Sequence, residues 1–74
     1  MKIRNCKEFG AALRLRRKEL GYTQAYLAEA TGFSVSFLSD LERGKVTAEL
    51  GKALFIANLL GMDCLLSPRG NGEA

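Results

Sequence analysis

Apolar residues recur with helical spacing along most of the 74-residue chain. Phe9, Ala12, Leu13 and Leu20 form one stripe over residues 6–20. Asn5 and Glu8 stand at capping-box spacing before it, and Gly21 stops it. Gly10 either weakens this helix by roughly 1 kcal/mol relative to Ala or permits close packing. Two shorter helices follow. Thr23 caps the first, whose small apolar face is Ala25, Leu27 and Ala28, and Gly32 supplies a left-handed turn. Ser34 caps the second, Leu38 and Leu41 fall on one face, and Gly44 ends it. A last helix is predicted over 48–60, with Thr47 as its cap and Glu49 suited to its positive end. Leu50, Leu54, Ala57 and Leu60 are its inward stripe. Phe55, Ile56 and Leu59 widen that stripe, so this helix is expected to touch something beyond its own core.

Residues 62–67 read as a short strand stopped by Pro68, and the Gly-rich remainder over 68–74 as a disordered tail. A lone strand leaves backbone N–H and C=O groups unpaired. It needs residues 2–4 beside it, or the same segment of a second chain.

The paired short helices over 23–45 are too short to bury much alone. They match the helix-turn-helix pattern, whose second helix enters a major groove of DNA. On that pattern the base-contact positions are Ser34, Val35, Ser36 and Phe37, then Ser39 and Asp40 one turn on. Val35 offers only apolar contact, for example with a thymine methyl, and Ser36 bonds with little selectivity. Phe37 either packs over a DNA sugar or base or folds back onto the domain. Asp40 repels phosphate, so it either accepts from a cytosine amine or points away. So thin a set leaves room for readout of DNA shape. Arg43 and Lys45, flanking Gly44, are candidate phosphate contacts together with Thr47, and Lys52 is a weaker one. Leu13, Leu27, Ala28, Leu38, Leu41 and Leu54 are assigned to the core alone.

Composition adds limits more than direction. Hydrophobic residues make up 47% of the chain, enough for a globular core. The net charge of +3 favours anionic partners only mildly. Much of that charge sits on the first helix, where Lys7, Arg14 and Lys18 share a face and Arg16 and Arg17 are adjacent. That face is either solvated surface, a phosphate contact or an ion-pairing surface for an acidic partner. Cys6 and Cys64 make no disulfide or metal framework, and are read as buried or semi-buried thiols in a reducing cytosol, the alternative being an intermolecular or regulatory thiol. With no His, no nucleophile–base set, no phosphate loop and no metal spacing, catalysis, cofactors and metals are not expected. The sequence shows no signal-peptide core and no apolar run near ~18 residues, so the expected location is cytoplasmic, away from membranes.

The string Thr23-Gln24, Leu27-Ala28, Gly32, Ser34, Leu38-Ser39, Leu41-Glu42-Arg43-Gly44-Lys45 resembles the helix-turn-helix of the Cro/C1-type (XRE) repressors. The resemblance covers about residues 6–61. It implies an all-α, lambda-repressor-like DNA-binding domain of four to five helices, with Gln24 on a phosphate beside Thr23. It also implies that Arg17 pairs with Glu42 to hold the recognition helix, residues 34–42. A finer resemblance, resting on length, the strand-like tail and the phrase KVTAELGKAL, is to the HipB-like antitoxins. It implies a domain over 1–67 whose C-terminal strands pair in a homodimer through Met62, Cys64, Leu65 and Leu66, with Phe55 and Leu59 of the last helix beside them. It further implies a palindromic operator, autorepression and a HipA-like kinase toxin as partner. The alternatives are a free-standing Cro/C1-like regulator without a toxin and a protein-interaction module.

Overall fold

Four helices follow one another along residues 2–70, the part that the computed structural model describes. They are α1 (Cys6–Glu19), α2 (Gln24–Thr31), α3 (Val35–Glu42) and α4 (Leu50–Leu59). This is the all-α architecture expected. Each of the first three helices starts at the predicted cap: Asn5 Oδ1 accepts from the Glu8 N–H, Thr23 Oγ1 from Tyr26 and Ser34 Oγ from Phe37. The reciprocal half of the first cap is displaced by one residue, because Glu8 Oε1 accepts from the Arg4 N–H at 2.7 Å.

The core is built from Leu13, Leu27, Leu38 and Leu41 together with Ala53, Ile56, Ala57 and Leu60 of α4. α1 and α2 both pack on α3, so the third helix is the one that the two before it hold. The α1–α3 crossing is close. A Cβ on Gly10 would overlap the carbonyl oxygens of Leu41 and Glu42, so close packing, and not helix weakening, is what Gly10 provides. Gly44 closes α3 with φ of 91° and lies against the Lys7 backbone, where a side chain would collide. Gly44 and Lys45 donate to the carbonyls of Leu41 and Asp40, the paired bonds of a Schellman cap.

Several expected details differ. α4 begins at Leu50, not near residue 48, and Thr47 does not cap it. The Ala48 N–H bonds back to the Lys45 carbonyl, and that turn takes Thr47 out of line; Glu49 stands at the cap position without a side-chain bond. Later in α4 the inward stripe is Ala53, Ile56, Ala57 and Leu60, while Leu50 is exposed and Leu54 half-buried. In α1 the inward line runs through Phe9, Gly10, Leu13 and Arg17, and Leu20 faces outward. The sequence pattern favoured Leu20, Leu50 and Leu54 for these stripes; the fold instead buries Ala53 and Ile56 and, where α1 meets the α3 backbone, Gly10.

No strand forms among the described residues. Residues 62–67 run irregularly beyond α4, and residues 2–4 do not pair with them. Met62 alone is anchored, its N–H on the Ala57 carbonyl and its side chain against the core. Leu65 and Leu66 are exposed, Leu66 at 101% of its reference area, and Cys6 and Cys64 are exposed thiols, not the buried ones expected. A single strand has no ladder to join within one chain. Of the tail expected to be disordered, residues 71–74 lie outside the described residues. No helix is long and apolar enough to cross a membrane among them.

Candidate nucleic-acid interface

The interface begins with what fixes α3. Arg17 is 7% exposed, and its guanidinium meets the Glu42 carboxylate in a fork: Nε donates to Oε2 at 2.7 Å and Nη2 to Oε1 at 3.0 Å. The Arg17 Nη1 donates to the Tyr22 carbonyl in the turn between α1 and α2. Gln24 Nε2 adds a third bond to the same carboxylate at 2.9 Å. One hub therefore ties α1, the start of α2 and the end of α3. The hydrogen bonds that its guanidinium donates to Glu42, against the opposing effect of burial, raise the Arg17 pKa above its ordinary value. Burial by itself pushes the Glu42 carboxyl up, but the bonds from Arg17 and Gln24, with the Arg17 and Arg14 charges, hold it below its usual range. No buried side-chain polar atom lacks a partner among the described residues.

Held this way, α3 turns a narrow face outward. Ser34, Val35 and Ser36 are exposed. Phe37 is drawn back onto the domain, its ring edge-on to Phe33 with centroids 5.3 Å apart. The Lys52 ammonium lies 5.6 Å from the centres of both rings. Of the two alternatives for Phe37, folding back is the one realised. Ser39 and Asp40 are engaged from below: Arg43 donates to Ser39 Oγ at 2.6 Å and pairs with Asp40, and Lys45 lies 3.4 Å from the same carboxylate. Base-edge capacity in this conformation is concentrated in Ser34, Val35 and Ser36.

The phosphate candidates divide likewise. Thr23 and Ser34 accept backbone bonds as caps, which leaves each hydroxyl hydrogen available to an anion. The amide nitrogen of Gln24 is engaged with Glu42, so a phosphate meets either its remaining N–H or a reorganised side chain. Arg43 and Lys45 are exposed at the end of α3 but tethered to Asp40, and Thr47 is exposed in the following turn. One position escaped the sequence. Arg16 reaches across 44 residues to donate to the Leu60 carbonyl at 2.9 Å, a cationic cap for α4 that no local pattern signals. The tether of Arg43 to Asp40 was readable, because the two stand three apart on one helix.

A helix-turn-helix family profile matches residues 13–65, most of the chain and all of this interface. The chain belongs to the helix-turn-helix family of XRE-type transcriptional regulators. Among its relatives in that family, an uncharacterised HTH-type transcriptional regulator, y4mF, of Sinorhizobium fredii is 40% identical over 72 residues, covering 97% of this chain and 92% of y4mF. The ImmF control region 10 kDa protein of Bacillus phage phi105 is 35% identical over 57 residues, covering 77% of this chain and 63% of the phage protein. Among solved structures, HipB in an O4 20mer complex superposes with a TM-score of 0.82 at 25% identity, over 92% of this chain and 96% of that one. A HipB variant in an O2 20mer complex gives 0.83 at 26% identity, over 92% and 94%. For an XRE-type regulator, the Arg17–Glu42–Gln24 hub places the two motif helices as one rigid unit.

Proposed function

We propose that this regulator is a sequence-specific repressor that binds double-stranded DNA as a homodimer, with α3 in the major groove of each half of a palindromic operator. The observation that carries this is the rigid presentation of Ser34, Val35 and Ser36, flanked by Thr23 and Gln24 on one side and Arg43, Lys45 and Thr47 on the other. Side chains at the start of α3 suit base edges, and those flanking it suit phosphates. Two-fold pairing supplies the contact area that one small module lacks, with half-sites about 34–36 Å apart. The dimer contact uses Phe55 and Leu59 of α4, 50% and 47% exposed, with residues 62–67 ordered by strand pairing between chains. Met62, Cys64, Leu65 and Leu66 then lie at or beside that contact.

The likeness to the HipB complexes supports a finer assignment, the autorepressing antitoxin of a pair whose toxin is a HipA-like kinase. The likeness to y4mF, an HTH-type transcriptional regulator, keeps a free-standing regulator as the second reading. A kinase-like neighbouring reading frame whose product co-purifies with this chain decides for the antitoxin; a neighbour of another class that does not co-purify decides against it. DNA binding itself is tested with a duplex from upstream of the chain's own reading frame. Affinity is expected to fall steeply and linearly with log salt. Absence of binding at low salt would leave a protein-interaction module as the function.

A further inference from the structure

The basic face of α1 has no part in the interface described so far. Five of the chain's cations each have a carboxylate in ion-pair reach: Arg16 with Glu19, Arg17 with Glu42, Arg43 and Lys45 with Asp40, and Lys52 with Glu49. Lys7, Arg14 and Lys18 have none among the described residues, although they line one open groove. Ala11 and Leu15 form its apolar floor, along which the long stems can lie, and Glu42 and Arg43 form its α3 edge. Seven residues separate the first two cations and four the next, so all three stand on one helical face. From Lys7 to Lys18 the axis advances about 16 Å at ~1.5 Å per residue. One DNA strand carries a phosphate for about every 3.4 Å of axis, so the row is long enough to follow several.

The place of the groove selects its ligand. It shares Arg43 with the end of α3, and Arg14 is near enough to act on the Glu42 carboxylate, which also receives Gln24. The cationic row is therefore continuous with the DNA-facing unit and not a separate patch. Its open shape suits an extended polyanion. We infer that Lys7, Arg14 and Lys18 form a second phosphate track, which grips the DNA backbone flanking the half-site under α3. This rests on the proposed DNA binding. The track compensates for the narrow reading face: it adds sequence-independent grip where Ser34, Val35 and Ser36 supply few base contacts.

The test compares the wild-type chain with the triple variant Lys7→Gln/Arg14→Gln/Lys18→Gln by fluorescence anisotropy. The probe is one labelled duplex from upstream of the reading frame, titrated across a range of salt. Three lost phosphate contacts are expected to make the log–log salt slope shallower by about 2–3 and to weaken binding at least tenfold at low salt. A control, Lys2→Gln/Arg4→Gln/Arg69→Gln, removes the same formal charge outside the groove and is expected to lose less than a third as much. All six side chains are exposed, so melting curves should coincide with wild type. A wild-type slope in the triple variant, or an equal loss in the control, overturns the track and leaves the groove to an acidic protein partner. If the wild type binds no duplex, the DNA-binding proposal itself fails, a result distinct from both.

Discussion

The two ends of this small domain are finished to different degrees. Where α1 crosses α3, every buried polar side-chain atom has a partner: Arg17 and Gln24 both donate to Glu42, and Gly10 lets the helix backbones approach. On α4 the chain leaves Phe55 and Leu59 half in solvent, past it Leu65 and Leu66 are exposed, and the segment from 62 to 67 has no ladder partner. The difference is between a task that one chain can complete and one that it cannot. Holding α3 requires directional bonds at fixed distances, which a single fold supplies. Covering a broad apolar helix face requires area, and 74 residues have little to give.

The hub should yield the largest effect. Glu42→Ala leaves the Arg17 guanidinium buried without its anion, at a cost of about 3–5 kcal/mol, comparable to the whole stability of so small a domain. Urea melts followed by circular dichroism should show a largely unfolded protein. A loss below about 1 kcal/mol would mean that the hub is not what holds α3.

The open end should respond differently. Phe55→Asp with Leu59→Asp, or truncation after Asp63, is expected to turn a dimer into a folded monomer in sedimentation velocity. The isolated fold should shift by only about 0.5 kcal/mol, as exposed substitutions usually do. If both variants keep the wild-type mass, the contact lies elsewhere on the surface.

Acid sharpens the contrast at smaller amplitude. The Glu42 carboxyl has a folded pKa below its unfolded one, so its contribution is full above the ordinary value of 4.5 and is lost as pH falls through the lower folded value. Stability should therefore drop below about pH 4.5, and Glu42→Gln, which is less stable at neutral pH, should show a shallower acid limb. Parallel limbs in denaturant titrations at several pH values would assign the acid sensitivity to other carboxylates.

The smallest effect concerns Asp40, which holds Arg43 and Lys45 in the free chain. Asp40→Asn is expected to release both and to tighten binding to unrelated duplex DNA by a few-fold, with a steeper salt slope. Weaker binding to all duplexes would instead show that Asp40 positions those cations productively.

The local signals decided the helices themselves. Asn5, Thr23 and Ser34 precede helices because a short side-chain oxygen satisfies an orphan N–H two or three residues on, and that depends on neighbours in sequence. The position of α3 in the chain, with its flanking cations, followed from the same spacing. Thr47 shows where local logic ends: it has cap chemistry, but the Ala48–Lys45 turn delays α4 past it. Tertiary structure alone decided the rest. Which residues of α4 face inward was decided by the packed fold: Ala53 and Ile56 are buried and Leu50 is not. Phe37 is drawn from the reading face by Phe33 in the turn before α3 together with the Lys52 ammonium of α4, and the Gln24 amide is engaged by a carboxylate eighteen residues away. Arg16 caps α4 from the first helix. Helix starts are set by bonds that span a few residues, whereas packing partners and the hydrogen bonds of long side chains are set by proximity that only the folded chain creates.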